Sequence, residues 1–373
     1  MESQELKVGS SCDRCPEKAK VFLGYGPHRF CAKHFTNFFG KRVRKTIRLN
    51  NLINYGEKIA VGVSGGKDSM VTLHLLNKFF GETGQNSIEA IMIDEGIKGY
   101  RDNALRIGVN YCEARGIPYH IIRFEEELGL DMQGVMAKIH ADAKLGSTCS
   151  FCGVFRRHFL NSKALEIGAD KIATGHNLDD EVQSIAMSFF GNDLSRAAKL
   201  GPIAGIKRFD KFVPRIKPLY ETPEKEVIAF AAFEGLEHYS EECCPYSWMA
   251  KRNHYRKMLN ELEEEIPGTK HSILASFRNL KPLLIAKEMD KSSQIMECEV
   301  CGSLSNGKVC GFCSQLERLR KTETPRLMAK ASAGLMKAGA EKSGAEKPRG
   351  IKKQAAMSCV ETKSMGSATL KLE

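Results

Sequence analysis

The stretch "KIAVGVSGGKDSMVTLHLL", residues 58 to 76, contains the turn on which the fold depends. Residues 58 to 63 form an apolar, β-branched run suited to a buried strand. From Lys67 the apolar residues recur at helical spacing, which predicts a helix over 67–80. Gly65 and Gly66 therefore sit at a strand-to-helix turn. Lacking side chains, they let backbone N–H groups approach an anion, and the helix N-terminus adds the positive end of its dipole. A nucleotide hydrolase loop needs Gly-x4-Gly-Lys-Ser/Thr, and this turn is shorter. It is a phosphate loop of another kind.

Three further apolar runs predict strands: "IEAIMID" (88–94), "YHIIRF" (119–124) and "DKIATGHN" (170–177). Each precedes a segment that can be helical. Alternation of this kind predicts an α/β fold, a doubly wound parallel sheet covered on both faces. Such sheets bind ligands beyond the carboxyl ends of their strands. Here those ends carry Ser64 to Ser69, Asp94 and "GHNLDDE" (175–181), all polar and all expected on one rim.

The chain has 373 residues, 42% apolar and 27% charged, enough for one large domain with smaller modules. No stretch has the roughly 18 apolar residues of a membrane helix, and the first residues lack a secretory layout, so a cytoplasmic address without membrane contact is expected. The formal net charge is +11, and residues 314–373 hold thirteen Lys/Arg against six Asp/Glu. Most of the excess therefore belongs to a Lys/Ala/Gly/Ser segment that reads as a flexible basic tail over 321–373. A nucleic-acid face on the body must be a local patch. The runs "GKRVRKTIRLN" (40–50) and "KRNHYRK" (251–257) are candidate phosphate contacts.

Eleven of the thirteen cysteines occur in pairs or Cys-x2-His knuckles; Cys112 and Cys359 stand alone. Cys12-x2-Cys15 and Cys31-x2-His34 supply four ligands across a hairpin-length insert. Cys298-x2-Cys301 and Cys310-x2-Cys313 supply four more. Each set can close a tetrahedron around Zn2+, leaving no open position for catalysis. The corresponding modules are an N-terminal zinc finger over 1–40 and a zinc ribbon over 286–320, flanking a nucleotide-binding domain over 41–285. Cys149-x2-Cys152 has no nearby second pair, and the next cysteines are Cys243 and Cys244. Three thiolates from distant segments suit an iron-sulfur cluster with one iron free of protein ligands, or a redox pair that carries sulfur as a persulfide.

"SGGKDS" resembles the pyrophosphate loop of the adenosine-nucleotide alpha-hydrolases, which cleave ATP to AMP and pyrophosphate. Together with "DEGIKGYRDNAL" (94–105), "CSFCGVFRR" (149–157), "TGHNLDDE" (174–181), "SEECCPYS" and the flanking fingers, it is similar to the cytoplasmic tRNA 2-thiolation protein 1 family and its archaeal and bacterial 2-thiouridine synthetase relatives. The likeness spans residues 12 to about 320.

The resemblance implies an enzyme that adenylates O2 of the wobble uridine in tRNAs for Lys, Glu and Gln, then replaces that oxygen by sulfur. It implies ATP and Mg2+ held by Ser64, Gly65, Gly66, Lys67, Asp68 and Ser69, with Asp94 and Gly175 on the same rim. Arg156 takes the position of a basic catalytic residue, and Asp180 that of an acidic residue that orients substrate or takes a proton. Cys149, Cys152 and one of the adjacent pair would hold a [4Fe-4S] cluster; counting back from "HYRKMLNELE" favours Cys244 over Cys243. The implied partners are a ubiquitin-like carrier bearing a thiocarboxylate and either a second 2-thiolation subunit or a second copy of the chain. Two rivals keep parts of this pattern. One is another adenylating enzyme, making lysidine on tRNA or amidating a small molecule. The other is a non-catalytic RNA-binding scaffold.

Overall fold

The computed structural model describes residues 10–204, 211–240, 250–289 and 295–322. A small hairpin, β1 (Val21–Leu23) and β2 (His28–Phe30), leads into α1 (Ala32–Leu49). The central domain then runs β3 (Lys58–Gly62), α2 (Lys67–Leu76), β4 (Ser87–Asp94), α3 (Arg101–Glu113), β5 (Tyr119–Arg123), α4 (Phe124–Leu128), α5 (Met132–Ala141), α6 (Thr148–Glu166), β6 (Lys171–Ala173), α7 (Leu178–Phe190), α8 (Leu194–Ala198), β7 (Ile203–Ala204), β8 (Arg215–Ile216) and α9 (Glu224–Phe233). Two long helices, α10 (Arg252–Glu265) and α11 (Thr269–Met289), follow. A second hairpin, β9 (Met296–Glu297) with β10 (Leu304–Ser305), and α12 (Gly311–Lys321) complete the described chain.

The main sheet has the order β5-β4-β3-β6-β8-β7, parallel throughout except for the edge strand β7. From β3 the chain steps outward through β4 to β5, then returns to place β6 on the other side of β3. The crevice between β3 and β6 is therefore the topological switch point of the sheet, where ligands of such folds bind. Strand β3 is buried on both faces: Ile59 and Val61 pack towards α1, α2 and α9, and Ala60 towards α6. On the second face Phe151, Phe155 and Phe159 repeat every four residues along α6, one stripe pressed on the sheet. Each such ring contributes roughly 2–3 kcal/mol through its burial. This stripe fixes the start of α6, and with it Cys149 and Cys152, relative to the strand ends.

The strand predicted over 170–177 is shorter, Lys171–Ala173. Residues 174–177 leave the sheet because Gly175 packs its backbone on that of Asp68, where an added Cβ would stand 2.7 Å from the Asp68 carbonyl carbon. The helix predicted over 67–80 is α-helical to Leu76, then widens through a π-type turn over Asn77–Gly81, closed by Glu82 N–H donating to the Asn77 carbonyl at 2.8 Å. No break falls at residues 40/41: α1 is continuous, burying Phe35, Phe39, Val43 and Ile47 along one face. Likewise α11 runs through residue 285. The tail residues 323–373 lie outside the described residues.

Candidate active site

The pyrophosphate-loop residues sit at the switch point. Gly65 adopts φ +81°, a left-handed conformation natural to glycine. A Cβ there would collide with the Ala104 carbonyl of α3. Gly66 caps α2 without any side-chain cap, so the first N–H groups of that helix face the crevice. Ser69 ties the turn together: its hydroxyl accepts from Ser64 N–H at 3.1 Å, donates to the Gly66 carbonyl at 2.8 Å and meets Ser64 Oγ at 3.1 Å. Tyr239 N–H donates to the Gly65 carbonyl at 2.9 Å, bringing the chain just before 241–249 onto the loop. Cys244, the expected third cluster ligand, and its neighbour Cys243 lie outside the described residues.

Lys67 does not reach freely into the crevice. Its ammonium pairs with Glu224 at 2.6 Å and Asp68 at 3.1 Å. Burial disfavours the charge, but these two carboxylates outweigh it and raise the Lys67 pKa. Burial also pushes the Asp68 carboxyl above its ordinary range, against the opposing pull of Lys67 and of the Asn177 amide at 3.0 Å. That amide links the loop to the rim after β6.

Asp94 closes the β4 turn, accepting from Gly96 N–H at 2.9 Å and pairing with Arg123 at 3.7 Å. Its neighbour Glu95, which the sequence reading passed over, is the buried centre of the rim. Glu95 lies 3.1 Å from Arg156 and 3.0 Å from Arg101. Arg101, 2% exposed, donates to the Ser64 carbonyl at 2.8 Å and to the Ile93 carbonyl. One carboxylate therefore connects the phosphate loop to Arg156. The Arg156 side chain stays 46% exposed, and its pKa is raised mainly by Glu95. Cys149 is exposed and Cys152 half-buried on the first turns of α6, one helical turn apart and beside Arg156.

Asp180 completes a capping box with Asn177 at the start of α7. Its Oδ1 also pairs with Arg252 of α10 at 2.8 Å. Arg252, from the basic run 251–257, is thus engaged by an acid, as is Arg42 of the run 40–50, which pairs with buried Glu226 at 2.9 Å. His176 stands among Asp180, Lys217, Arg252 and Arg156, with Nδ1 2.9 Å from Thr174 Oγ1. Crowding by the surrounding groups, with the three cations adding and Asp180 opposing, lowers its pKa, although the side chain itself remains exposed.

Two cysteine clusters lie apart from this crevice. Cys12, Cys15, Cys31 and His34 bring one ligand atom each within 4.8 Å of one another, as do Cys298, Cys301, Cys310 and Cys313. Within the first, His34 Nδ1 is 3.5 Å from Cys12 Sγ and 3.3 Å from Cys31 Sγ. The donor sets, three thiols with an imidazole and four thiols, suit a metal such as zinc. The second cluster is seated on α6 through Phe312, stacked on His158 at 3.7 Å.

Residues 40–263 match the PP-loop domain family. The tRNA 2-thiolation protein NcsA of Haloferax volcanii is 38% identical over 83% of this chain and 98% of its own length. The tRNA-5-methyluridine(54) 2-sulfurtransferase of Pyrococcus horikoshii is 37% identical over 81% and 92%. Among solved structures, the U34-tRNA thiolase NcsA of Methanococcus maripaludis with its [4Fe-4S] cluster superposes with a TM-score of 0.70 at 34% identity, covering 83% of this chain and 96% of that one. The phosphate loop at the switch point and the α6 turn with Cys149, Cys152 and Arg156 both fall within the residues matched by the family model, and the chain belongs to the PP-loop family of tRNA 2-thiolation proteins.

Proposed function

We propose that this chain is an ATP-dependent tRNA 2-sulfurtransferase that converts the wobble uridine of tRNAs for Lys, Glu and Gln to 2-thiouridine. The observation that carries the reading is the rim itself, where one buried carboxylate, Glu95, connects the phosphate loop through Arg101 to Arg156 and the Cys149-x2-Cys152 turn. A uracil carbonyl oxygen is a poor leaving group. Attack of that O2 on the α-phosphorus of ATP forms a P–O bond and breaks the bond to pyrophosphate. A sulfur nucleophile then adds at C2, the C–O bond breaks, and AMP departs.

The chain's own residues serve these steps. Ser64, Gly65, Gly66 and Ser69 hold the departing pyrophosphate by N–H and hydroxyl donors, with Lys67 as cation and with Mg2+ near Asp68. Asp94 and Gly175 border the nucleotide. Arg156 stabilises charge on the α-phosphate or on the uracil oxygen. Asp180 orients the base or accepts its N3 proton. Cys149, exposed, and Cys152, half-buried, belong to neither four-donor set and fit two of the three ligands of a [4Fe-4S] cluster, with Cys244 as the third. When bound, that group supplies an open iron for incoming sulfide. The two outer clusters take Zn2+ and fold the flanking modules. The base must leave its stack to enter, as bases do for such chemistry. The same reading gives a ubiquitin-like thiocarboxylate carrier as sulfur donor, a second 2-thiolation subunit or a second copy of the chain as partner, and a cytoplasmic setting.

The Pyrococcus relative, almost as similar as NcsA, carries a name that places its reaction at position 54, so thiolation of the T-loop uridine is the second reading. Both are tested by supplying anaerobically purified protein with ATP, sulfide and unmodified tRNA, then mapping thiolated nucleosides by mass spectrometry of digested fragments. Sulfur at position 34 with one AMP released per thiouridine supports the first. Sulfur at 54 supports the second, and thiolation without AMP release removes both.

A further inference from the structure

The rim's arginines fall into two classes. Arg101, Arg123, Arg156 and Arg252 each have a carboxylate within 4.0 Å. Arg157, Arg196 and Arg215 have none among the described residues. Arg157 and Arg215 meet on the flank of α6, and Arg196 lies near enough to act on the charge of Arg157. The Arg157 guanidinium folds over Gly153, where an added Cβ would meet Nη1 at 3.2 Å. Arg215 reaches up from β8, donates Nη2–H to the Arg157 carbonyl at 3.4 Å and leaves Nε buried with no hydrogen-bond partner. Arg196 stands on α8, and the one acid beside it in sequence, Asp193, spends its Oδ1 on the Arg196 backbone N–H at 2.9 Å.

Like charges gathered with no counter-charge among the described residues are unfavourable, the more so where solvent is partly excluded. The exposed Arg157 and the half-buried Arg215 both show it. Arg157 has its pKa lowered by burial, then by Arg196, with Arg156 adding to the effect. Arg215 is pushed down to about 10 by burial and by Arg157. A bound anion relieves this arrangement, and the planar fork of donors on each guanidinium matches a phosphate.

We propose that Arg157, Arg196 and Arg215 form a phosphate-binding cleft that grips the RNA backbone beside the nucleotide presented to Arg156 and Cys149. The proposal rests on the tRNA reading above. It favours RNA over a free anion because Arg157 follows Arg156 directly on α6: a strand that delivers a base to the second carries its flanking phosphates past the first. Phosphate contacts of this kind fix register without reading sequence.

The test is tRNA binding, by filter retention across a series of salt concentrations, to the parent chain and to the Arg157→Gln/Arg196→Gln double variant. Both side chains are exposed, so the fold should survive, and the melting temperature checks that it does. Lys78→Gln/Arg115→Gln, which removes the same charge from the opposite end of the sheet, is the control. The double variant should bind tRNA about tenfold more weakly near 0.1 M salt, with the slope of log K against log salt reduced by about 1.4, and with unchanged ATP affinity. The control should keep the parent slope. A double variant with the parent slope overturns the cleft while leaving the tRNA reading intact. A parent chain that does not bind tRNA overturns both. Lost ATP affinity with intact tRNA binding, or intact tRNA binding with lost transfer from a carrier protein, would assign the arginines to another ligand and overturn the proposal.

Discussion

Replacing Gly65 by alanine should reduce ATP-dependent tRNA thiolation at least a hundredfold. Two costs fall on this one methyl group. The backbone at Gly65 lies at φ +81°, where a residue with a Cβ is less stable by roughly 1–2 kcal/mol. The Cβ would also run into the Ala104 carbonyl, which cannot retreat easily. Helix α3 is anchored at its first residue, since Arg101 is clamped between Glu95 and the Ser64 carbonyl. The strain would relax by displacing the loop itself, moving the N–H groups proposed to receive pyrophosphate. Gly56 separates the two costs, because it has the same φ of +81° but nothing within 4 Å of an added Cβ. Gly56→Ala should cost about 1 kcal/mol of stability and no thiolation activity. The measurement is ATP binding by calorimetry together with thiolation rate. A Gly65→Ala chain that binds ATP as the parent does would show that the loop is not the nucleotide site.

This contrast also shows which parts of the site are legible in a sequence. The loop can be read because its signal is local: a β-branched run, two glycines and a helical period stand next to one another, and the recurrence of strand and helix places the rim. The residues that connect the rim are not local. Glu95 adjoins Asp94 and looks like a second surface acid. Only the folded chain shows that Asp94 serves its own turn, whereas Glu95 enters the interior between two arginines. The run 40–50 reads as a cationic face, yet Arg42 is neutralised by Glu226 from a helix 184 positions away. Asp180 carried a readable signal of a different sort: Asn-x-x-Asp before an apolar run is a capping pattern, and the structure shows that cap together with an ion pair to Arg252. Any chemistry assigned to Asp180 must be compatible with both bonds. The Lys67 ammonium, expected as a ready phosphate partner, is held by Glu224 of α9, so nucleotide binding there entails exchanging one anion for another.

Cys149→Ala and Cys152→Ala should each abolish thiolation and lose iron while retaining a full complement of zinc. The argument is one of separation. Both cysteines lie on the first turns of α6, outside the two four-donor sets, so neither substitution removes a member of either set. Cys149 is exposed, and the helix beneath it is fixed by Phe151, Phe155 and Phe159 rather than by its thiol. Its loss should therefore lower the melting temperature of protein prepared without iron by no more than a degree or two, a change of under about 0.5 kcal/mol. Cys12→Ala is the reciprocal case, removing one ligand of the N-terminal set. It should lose about one equivalent of zinc and destabilise the chain, because α1 begins at that set and carries its buried face into the main core. Anaerobic preparation followed by metal analysis distinguishes the outcomes. Iron retained in both α6 variants would remove these thiols from the iron site, and zinc lost with them would mean that the three cysteine groups do not act independently.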